Sequence, residues 1–271
     1  MEREANPKNL GKRFEKFQKN QKKIPHLSLN TFEMTQKKDV FGTALWEYHQ
    51  SPGQQDLITW TSLTDKDPVP LSYFFRTYDQ MPPIEKKALQ LSQGKILDIG
   101  CGAGSHSLFL QNQKKLEVIG LDNSAGAIRS AKERGLLKTV HQSIFDYPTK
   151  TFDTILMLMN GIGICERLEK LEILLRKLKK LLNPDGQILL DSSDLIYLFD
   201  ETPEGEKIIP AEGYYGELEY GIQYQDQIET FPWLYIGYDL LKHAVQSSGL
   251  TIELILEGEN WDYLARLTRE Y

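Results

Sequence analysis

The stretch Lys95–Gly100 (KILDIG) is a short apolar strand that runs straight into Cys101-Gly102-Ala103-Gly104-Ser105-His106, and this junction constrains the chain more than any other. Strand, glycine turn and helix N-terminus in succession form the corner at which an open α/β sheet receives a nucleotide. Glycines there omit the Cβ that would obstruct a ligand approaching the main chain. The flanking rhythm agrees. Residues 84–92 read as a helix ending at Gly94, and 104–112 as a second helix. Strands are predicted at Leu116–Leu121, Leu137–His141, Phe152–Met159 and Gln187–Asp191, with helices at Ser124–Arg134 and Glu166–Leu182 between them. Leu168, Leu171, Leu175, Leu178 and Leu182 give the last helix one apolar stripe, and Asn183-Pro184-Asp185-Gly186 predicts the turn that ends it.

Strands alternating with helices predict a parallel sheet with right-handed crossovers. The end of the chain differs. Trp233–Ser248 reads as helical, and Thr251–Leu256 and Trp261–Thr268 are strands joined by Gly258-Glu259-Asn260. That spacing requires a hairpin, so the last strand runs antiparallel to its neighbour. The expected fold is α/β: a seven-stranded, mostly parallel sheet with helices on both faces and an antiparallel last strand.

Spacing discriminates between ligands. A dinucleotide fingerprint counted from Gly100 needs glycine at 105, where the chain has Ser105. No G-x-x-x-x-G-K-[ST] phosphate loop is present. What stands here is G-x-G-x-G with Asp98 two residues ahead of it. The segment ILDIGCGAG resembles the first motif of the class I S-adenosylmethionine-dependent methyltransferases. Further marks follow in that family's order. Asp122 ends the second strand, 22 residues after Gly100. Ser143-Ile144-Phe145-Asp146 follows the third strand, and Phe152-Asp153 opens the fourth. The resemblance covers about residues 84–191 and 233–271.

The resemblance implies an enzyme that transfers a methyl group from S-adenosyl-L-methionine, and it implies cofactor-binding residues. Gly100, Cys101, Gly102 and Gly104 form the loop, and Asp98 orders it and faces the methionine amine. Asp122, with Asn123, takes the ribose hydroxyls. Phe145 and Asp146 take the adenine. Asn160, at the end of the fourth strand, contacts the methionine moiety or helps shape the substrate floor, and Arg76 matches basic residues that bind the cofactor carboxylate in some relatives.

The acceptor is less marked. Methyl transfer is an in-line displacement, so the protein mainly positions the acceptor, and no catalytic residue is singled out. Strand four ends in Met159-Asn160-Gly161, without the prolines and aromatic that hold a planar nitrogen in DNA and amide methyltransferases. Asp191-Ser192-Ser193-Asp194 at the tip of strand five can receive a cationic or hydroxylated acceptor, or can serve as caps. No metal is expected. Aromatic residues crowd the segments on either side of the core. Tyr73 and Tyr78 lie in one, and Tyr197, Tyr214, Tyr215, Tyr220 and Tyr224 in the other. With His106, Asp191, Ser192 and Asp194, residues Tyr73, Tyr78 and Tyr220 are the acceptor-side candidates. Residues 216–224 alternate with period two, as a strand would.

Three parts are therefore expected: a basic polar arm at 1–39, an N-terminal cap of short helices and loops at 40–83, and a methyltransferase domain at 84–271 with 192–232 inserted as a substrate cap. The net charge of −6 hides an asymmetry, because residues 1–38 carry ten basic and four acidic side chains, or +6, leaving −12 for 39–271. An acidic body argues against binding nucleic acid over the whole surface, so a small-molecule acceptor leads. The arm keeps an RNA or protein acceptor as the alternative, and a non-catalytic cofactor-binding protein is a third reading. Two cysteines cannot staple a secreted scaffold, no apolar run spans a bilayer, and the polar N-terminus has no signal-peptide core, so the expectation is a cytoplasmic protein without membrane partners.

Overall fold

A computed structural model describes residues 38–53 and 55–270; the basic arm, apart from its last two residues, lies outside the described residues. The main sheet holds β3 (Lys95–Ile99), β4 (Glu117–Asp122), β5 (Thr139–His141), β6 (Phe152–Met157), β7 (Leu182–Ser193), β10 (Leu250–Glu257) and β11 (Asp262–Arg269). Its order is β10-β11-β7-β6-β3-β4-β5. From β7 to β5 all neighbours are parallel, whereas β11 is antiparallel to both β7 and β10. The order reverses at β3, so its carboxyl end opens the crevice where ligands bind in such sheets.

Alternate strand residues reach opposite faces. Ile96, Leu156, Leu158, Leu189 and Leu264 form a cluster with Ile84, Ala88 and Leu89 of α2 (Pro83–Leu91) and Leu110 of α3 (Ser105–Asn112). Leu97, Ile155, Ile188 and Leu190 between them are also fully buried, which is why these strands read as continuous apolar runs. Helix α4 (Ala125–Glu133) follows β4; α5 (Leu168–Leu181) packs on β7, and α6 (Tyr238–Ser247) on β10.

The segments flanking the core meet in a second, four-stranded antiparallel sheet of order β2-β1-β8-β9. Strands β1 (Leu57–Thr61) and β2 (Thr64–Val69) come from the N-terminal segment, and β8 (Glu217–Tyr224) and β9 (Gln227–Leu234) from the insertion. This corrects the reading of 40–83 as helices and loops. Helix α1 (Val40–Gln50) and short 3₁₀ turns at 71–75 and 78–80 are there, but so is a hairpin. Its turn carries no glycine; the Thr64 hydroxyl accepts from Thr61 N (3.0 Å), and β1 becomes a strand because β8 pairs with it. The expected helix at 233 starts instead at Tyr238, since Trp233 and Leu234 pair with Leu218 and Glu217. Tertiary pairing overrides local preference in both places. The expected turn at 183–186 is absorbed into β7 as an irregularity: Leu182 lies opposite Phe152, and the next pair is Gln187 opposite Thr154.

Candidate functional site

The glycine turn is built by the main chain. Gly100 N and Cys101 N both donate to the carbonyl of Leu121, at 2.8 and 3.1 Å, tying the end of β3 to the end of β4. Gly102 has φ +53°, and a Cβ built on it would meet nothing within 4 Å. The loop therefore presents bare backbone to open space. Gly102 N donates to Asp122 Oδ2 and Ser124 N to Asp122 Oδ1, both at 2.9 Å. Asp122 thus joins the loop to the start of α4, and burial raises its pKa above the usual range against those two donors. A carboxylate offers about four acceptor positions, so roughly two remain. Asn123 is exposed, with its carbonyl on His141 Nε2 at 3.1 Å. Phe145 is half-buried and Asp146 exposed at the adjoining edge. Cys101 turns inward: its Sγ lies against Gly120, and burial raises its thiol pKa well above normal, so only its main chain faces the loop.

Helix α1 closes one side. Asp39 caps it through Gly42 N (3.0 Å) and also accepts from Gly126 N of α4 (2.9 Å). The two helices touch glycine to glycine; a Cβ on Gly126 would fall 2.2 Å from the carbonyl oxygen of Gly42.

Buried charge collects on the α2–α3 face of the sheet. Asp98 is 2% exposed and accepts from Ser107 Oγ at 2.6 Å. Burial raises its pKa in spite of that bond and of nearby His106. Glu85, which nothing in the sequence marked, joins two candidates: one oxygen meets Arg76 Nη2, and the other lies 2.6 Å from His106 Nε2. Burial opposes the Glu85 charge, but His106 and Arg76 outweigh it and hold the carboxyl low. Burial likewise opposes the His106 charge, and Glu85 outweighs it, raising the imidazole pKa. His106, expected among the acceptor contacts, is paired with Glu85. Arg76, expected at the cofactor carboxylate, shares that partner. Its Nη1 donates to Tyr73 O, its Nη2 to Glu85, and its Nε is fully buried without a partner. It fixes Tyr73, over whose ring it sits at 3.9 Å, and its Nε keeps an unpaired N–H.

The far side of the crevice is a corner after β6. Met159 and Asn160 both take left-handed conformations, φ +60° and +54°, which are costly for residues with a Cβ. Asp191 of β7 holds them, accepting from Met159 N at 3.1 Å and Asn160 N at 2.6 Å. Asn160 spans three strands: its Oδ1 accepts from Ser192 Oγ (2.6 Å), and its Nδ2 donates to Leu234 O (3.1 Å). Ser192 Oγ accepts from Ile236 N at 3.0 Å. Asn160 and Ser192 are therefore structural partners of each other, whatever else they touch. Burial drives the pKa of Asp191 up to about 7 against its two amide donors.

The small sheet lies beside this corner. Tyr220, Phe231 and Trp233 share a face, with ring centroids 5.7 Å apart for Tyr220–Phe231 and Phe231–Trp233. Trp233 lies over Gly163, just past the corner, where a Cβ would overlap its indole. Tyr235 was missed because it fell inside the expected helix; the charge of Asp191, after burial, raises the pKa of both Tyr235 and Tyr73. Two candidates go elsewhere. Tyr78 stacks on Phe109 at 4.2 Å and accepts from Gln90 Nε2, at the edge of the main core. Asp194 caps the turn after β7 and accepts from Tyr215 OH at 2.6 Å. Among the described residues, no group of three or more His, Cys, Asp or Glu is set to hold a metal, and no helix is long and apolar enough to cross a membrane.

Known proteins place this geometry. The family described as methyltransferase domain matches residues 96–186. An S-adenosylmethionine-dependent methyltransferase from Bacteroides fragilis, solved with S-adenosyl-L-homocysteine, is 41% identical, with TM-score 0.80 over 90% of this chain and all of that one. The CcbJ methyltransferase from Streptomyces caelestis shares the fold at 17% identity and TM-score 0.54, over 70% of this chain and 98% of that one. Phosphoethanolamine N-methyltransferase 3 from Arabidopsis thaliana is 32% identical over 110 residues, which are 38% of this chain and 22% of that protein.

Proposed function

Because the chain belongs to the S-adenosylmethionine-dependent methyltransferases, we propose that it methylates a small molecule held between the corner after β6 and the aromatic face of the small sheet. S-adenosyl-L-methionine supplies the activated methyl group on its sulfonium. The residues present fit that cofactor: Gly102 leaves open space where a side chain would stand, and Asp122 keeps acceptor capacity for vicinal hydroxyls. In this reading Asp122 and the exposed Asn123 hold the ribose, and Phe145 and Asp146 the adenine. Asp98 fixes the loop from beneath.

The remaining work of the protein is positioning, exclusion of water and handling of the acceptor's proton. One observation carries the small-molecule reading. The segments before and after the core hydrogen-bond into one sheet, Thr59 opposite Ile222, and lay Tyr220, Phe231 and Trp233 beside the Met159–Asn160 corner. Aromatic side chains beside that corner suit a compact acceptor better than a polymer. Phosphoethanolamine N-methyltransferase acts at that scale, and this supports the reading by likeness. The full chain, incubated with labelled S-adenosylmethionine, should place label in metabolites below about 1 kDa and not in RNA or protein. Label in a polymer, lost steeply with added salt, would assign the acceptor to the alternative class.

A further inference from the structure

We propose that the acceptor is an amine and that Asp191 is the group that receives its ammonium and takes its proton; this rests on the small-molecule reading above. Asp191 is 9% exposed, and among the described residues its carboxylate accepts from the amides of Met159 and Asn160. Among the described residues no lysine or arginine pairs with it; the nearby arginine, Arg76, is spent on Glu85. A buried carboxylate without a cation is costly, and a ligand that supplies the cation removes the cost. Two backbone donors occupy about half of its acceptor positions and leave the rest for N–H groups.

The surroundings select an amine over a hydroxyl. The titratable groups near Asp191 on neighbouring elements are Glu85 on α2, His106 on α3, Tyr73 before α2, Tyr235 after β9 and Tyr263 on β11, whose hydroxyl donates to Ile236 O. Glu85 and His106 satisfy each other, so neither neutralises Asp191. An aromatic ring is a favourable neighbour for an ammonium; the Tyr73 ring already carries the Arg76 guanidinium at 3.9 Å, so that role falls to Tyr235. Asp98, the buried carboxylate of β3, lies two strands away, about 10 Å at ordinary strand spacing, so the glycine-loop end and this end each have a strand-end carboxylate. Residues 39–271 carry −12, which draws cations to the cleft.

The step balances without further reagents. An N–H proton of the ammonium passes to an Asp191 oxygen, freeing the nitrogen lone pair. That pair forms the N–C bond to the methyl carbon as the C–S bond breaks, and its electrons return to sulfur. With a raised pKa of about 7, Asp191 is ionised near neutral pH yet basic enough to accept.

The test offers the full-length protein S-adenosylmethionine and matched acceptors on the same aliphatic or aromatic skeletons, one series ending in amines and one in hydroxyls. Amines should be methylated at least tenfold faster in kcat/KM. The acid limb of that profile should lie near pH 7, and in Asp191→Asn it should move to the amine's own pKa with at least a hundredfold loss at pH 7. Binding of S-adenosylhomocysteine to the variant should change less than threefold. Preference for hydroxyls, an unmoved limb, or an equal loss of S-adenosylhomocysteine binding would each overturn the proposal while leaving the small-molecule reading intact. Methylation of a polymer only, or of neither series, would overturn both. Should Asp191→Asn fail to fold, Tyr235→Ala decides: the KM for amines should rise at least tenfold with S-adenosylhomocysteine binding kept, and an unchanged KM would count against the site.

Discussion

The two ends of the crevice are built differently. At the glycine loop the defining bonds are main-chain amides to Leu121 O and to Asp122, about twenty residues along the chain. At the Met159–Asn160 corner they are side-chain bonds between partners 31, 32 and 74 residues apart, supplied by Asp191, Ser192 and Leu234. The loop is shaped by the absence of side chains, so it leaves its fold intact while offering backbone to a ligand. The corner is strained backbone held down by buried polar groups. Damage to the first should cost ligand binding, and damage to the second should cost stability.

Asn160→Ala tests the second half and carries the largest effect. It removes the acceptor of Ser192 Oγ and the donor to Leu234 O, and it puts alanine in a left-handed conformation. Unsatisfied buried groups and the backbone penalty sum to about 3 kcal/mol. Urea unfolding should show this as a lower midpoint with unchanged slope. Asn160→Gly should recover about 1 kcal/mol of it, the conformational share. A loss in Asn160→Ala below about 1 kcal/mol would mean the corner is not held as described.

Asp122→Ala tests the first half. If Asp122 takes the ribose hydroxyls, calorimetric titration should show S-adenosylhomocysteine bound about 1–3 kcal/mol more weakly. The change in urea midpoint should be smaller than for Asn160→Ala, because Gly102 N lies beside open space and no left-handed non-glycine backbone depends on Asp122. If stability falls as far as affinity, the two ends do not differ in kind.

The sequence showed one end clearly and the other poorly, and the contrast above explains why. Gly100, Gly102, Gly104, Asp98 and Asp122 are legible because a strand, a glycine turn and the next strand's end are close in the chain and require particular residue types. The same holds for the seven strands and the terminal hairpin, whose apolar runs are local. The small sheet was half-seen. Residues 216–224 alternate as a strand should, but β1 pairs on one side with β8, over 150 residues away, and on the other with β2 through a turn without glycine, and β9 took the place of an expected helical start. Glu85 carries no local signal, since its meaning comes from Arg76 and His106, which fold onto it.

A pH-dependent effect follows from the sign of the Asp191 titration. Its folded pKa is about 7 and its unfolded value is the ordinary carboxylate one, about 4. Between those values the folded state holds the extra proton, so this residue's contribution to stability is full below pH 4 and is lost as pH rises through 7. Between pH 5 and pH 7.5 the unfolding free energy of the parent should fall by about 2–3 kcal/mol more than that of Asp191→Asn. Glu85 and His106 titrate in both proteins and cancel in the difference. A slope shared by parent and variant would remove Asp191 as its source.

Asp146→Ala should have the least effect, and its smallness is informative. Asp146 is exposed, and its main chain alone is tied down, N to Ser143 O at 3.1 Å and O to Gln142 Nε2 at 3.0 Å. A carboxylate there competes with water for any amine it meets, so its net contribution to binding is about 0.5–1 kcal/mol. Stability should be unaffected within about 0.5 kcal/mol, as for most exposed substitutions. The informative quantity is its size relative to Asp122→Ala, measured on the same ligand in the same buffer. A loss equal to that of Asp122 would mean that the edge at 143–146 closes over the ligand on binding. The cofactor end would then also depend on side chains brought together by folding, and the division between a backbone-built end and a side-chain-built end would be one of degree.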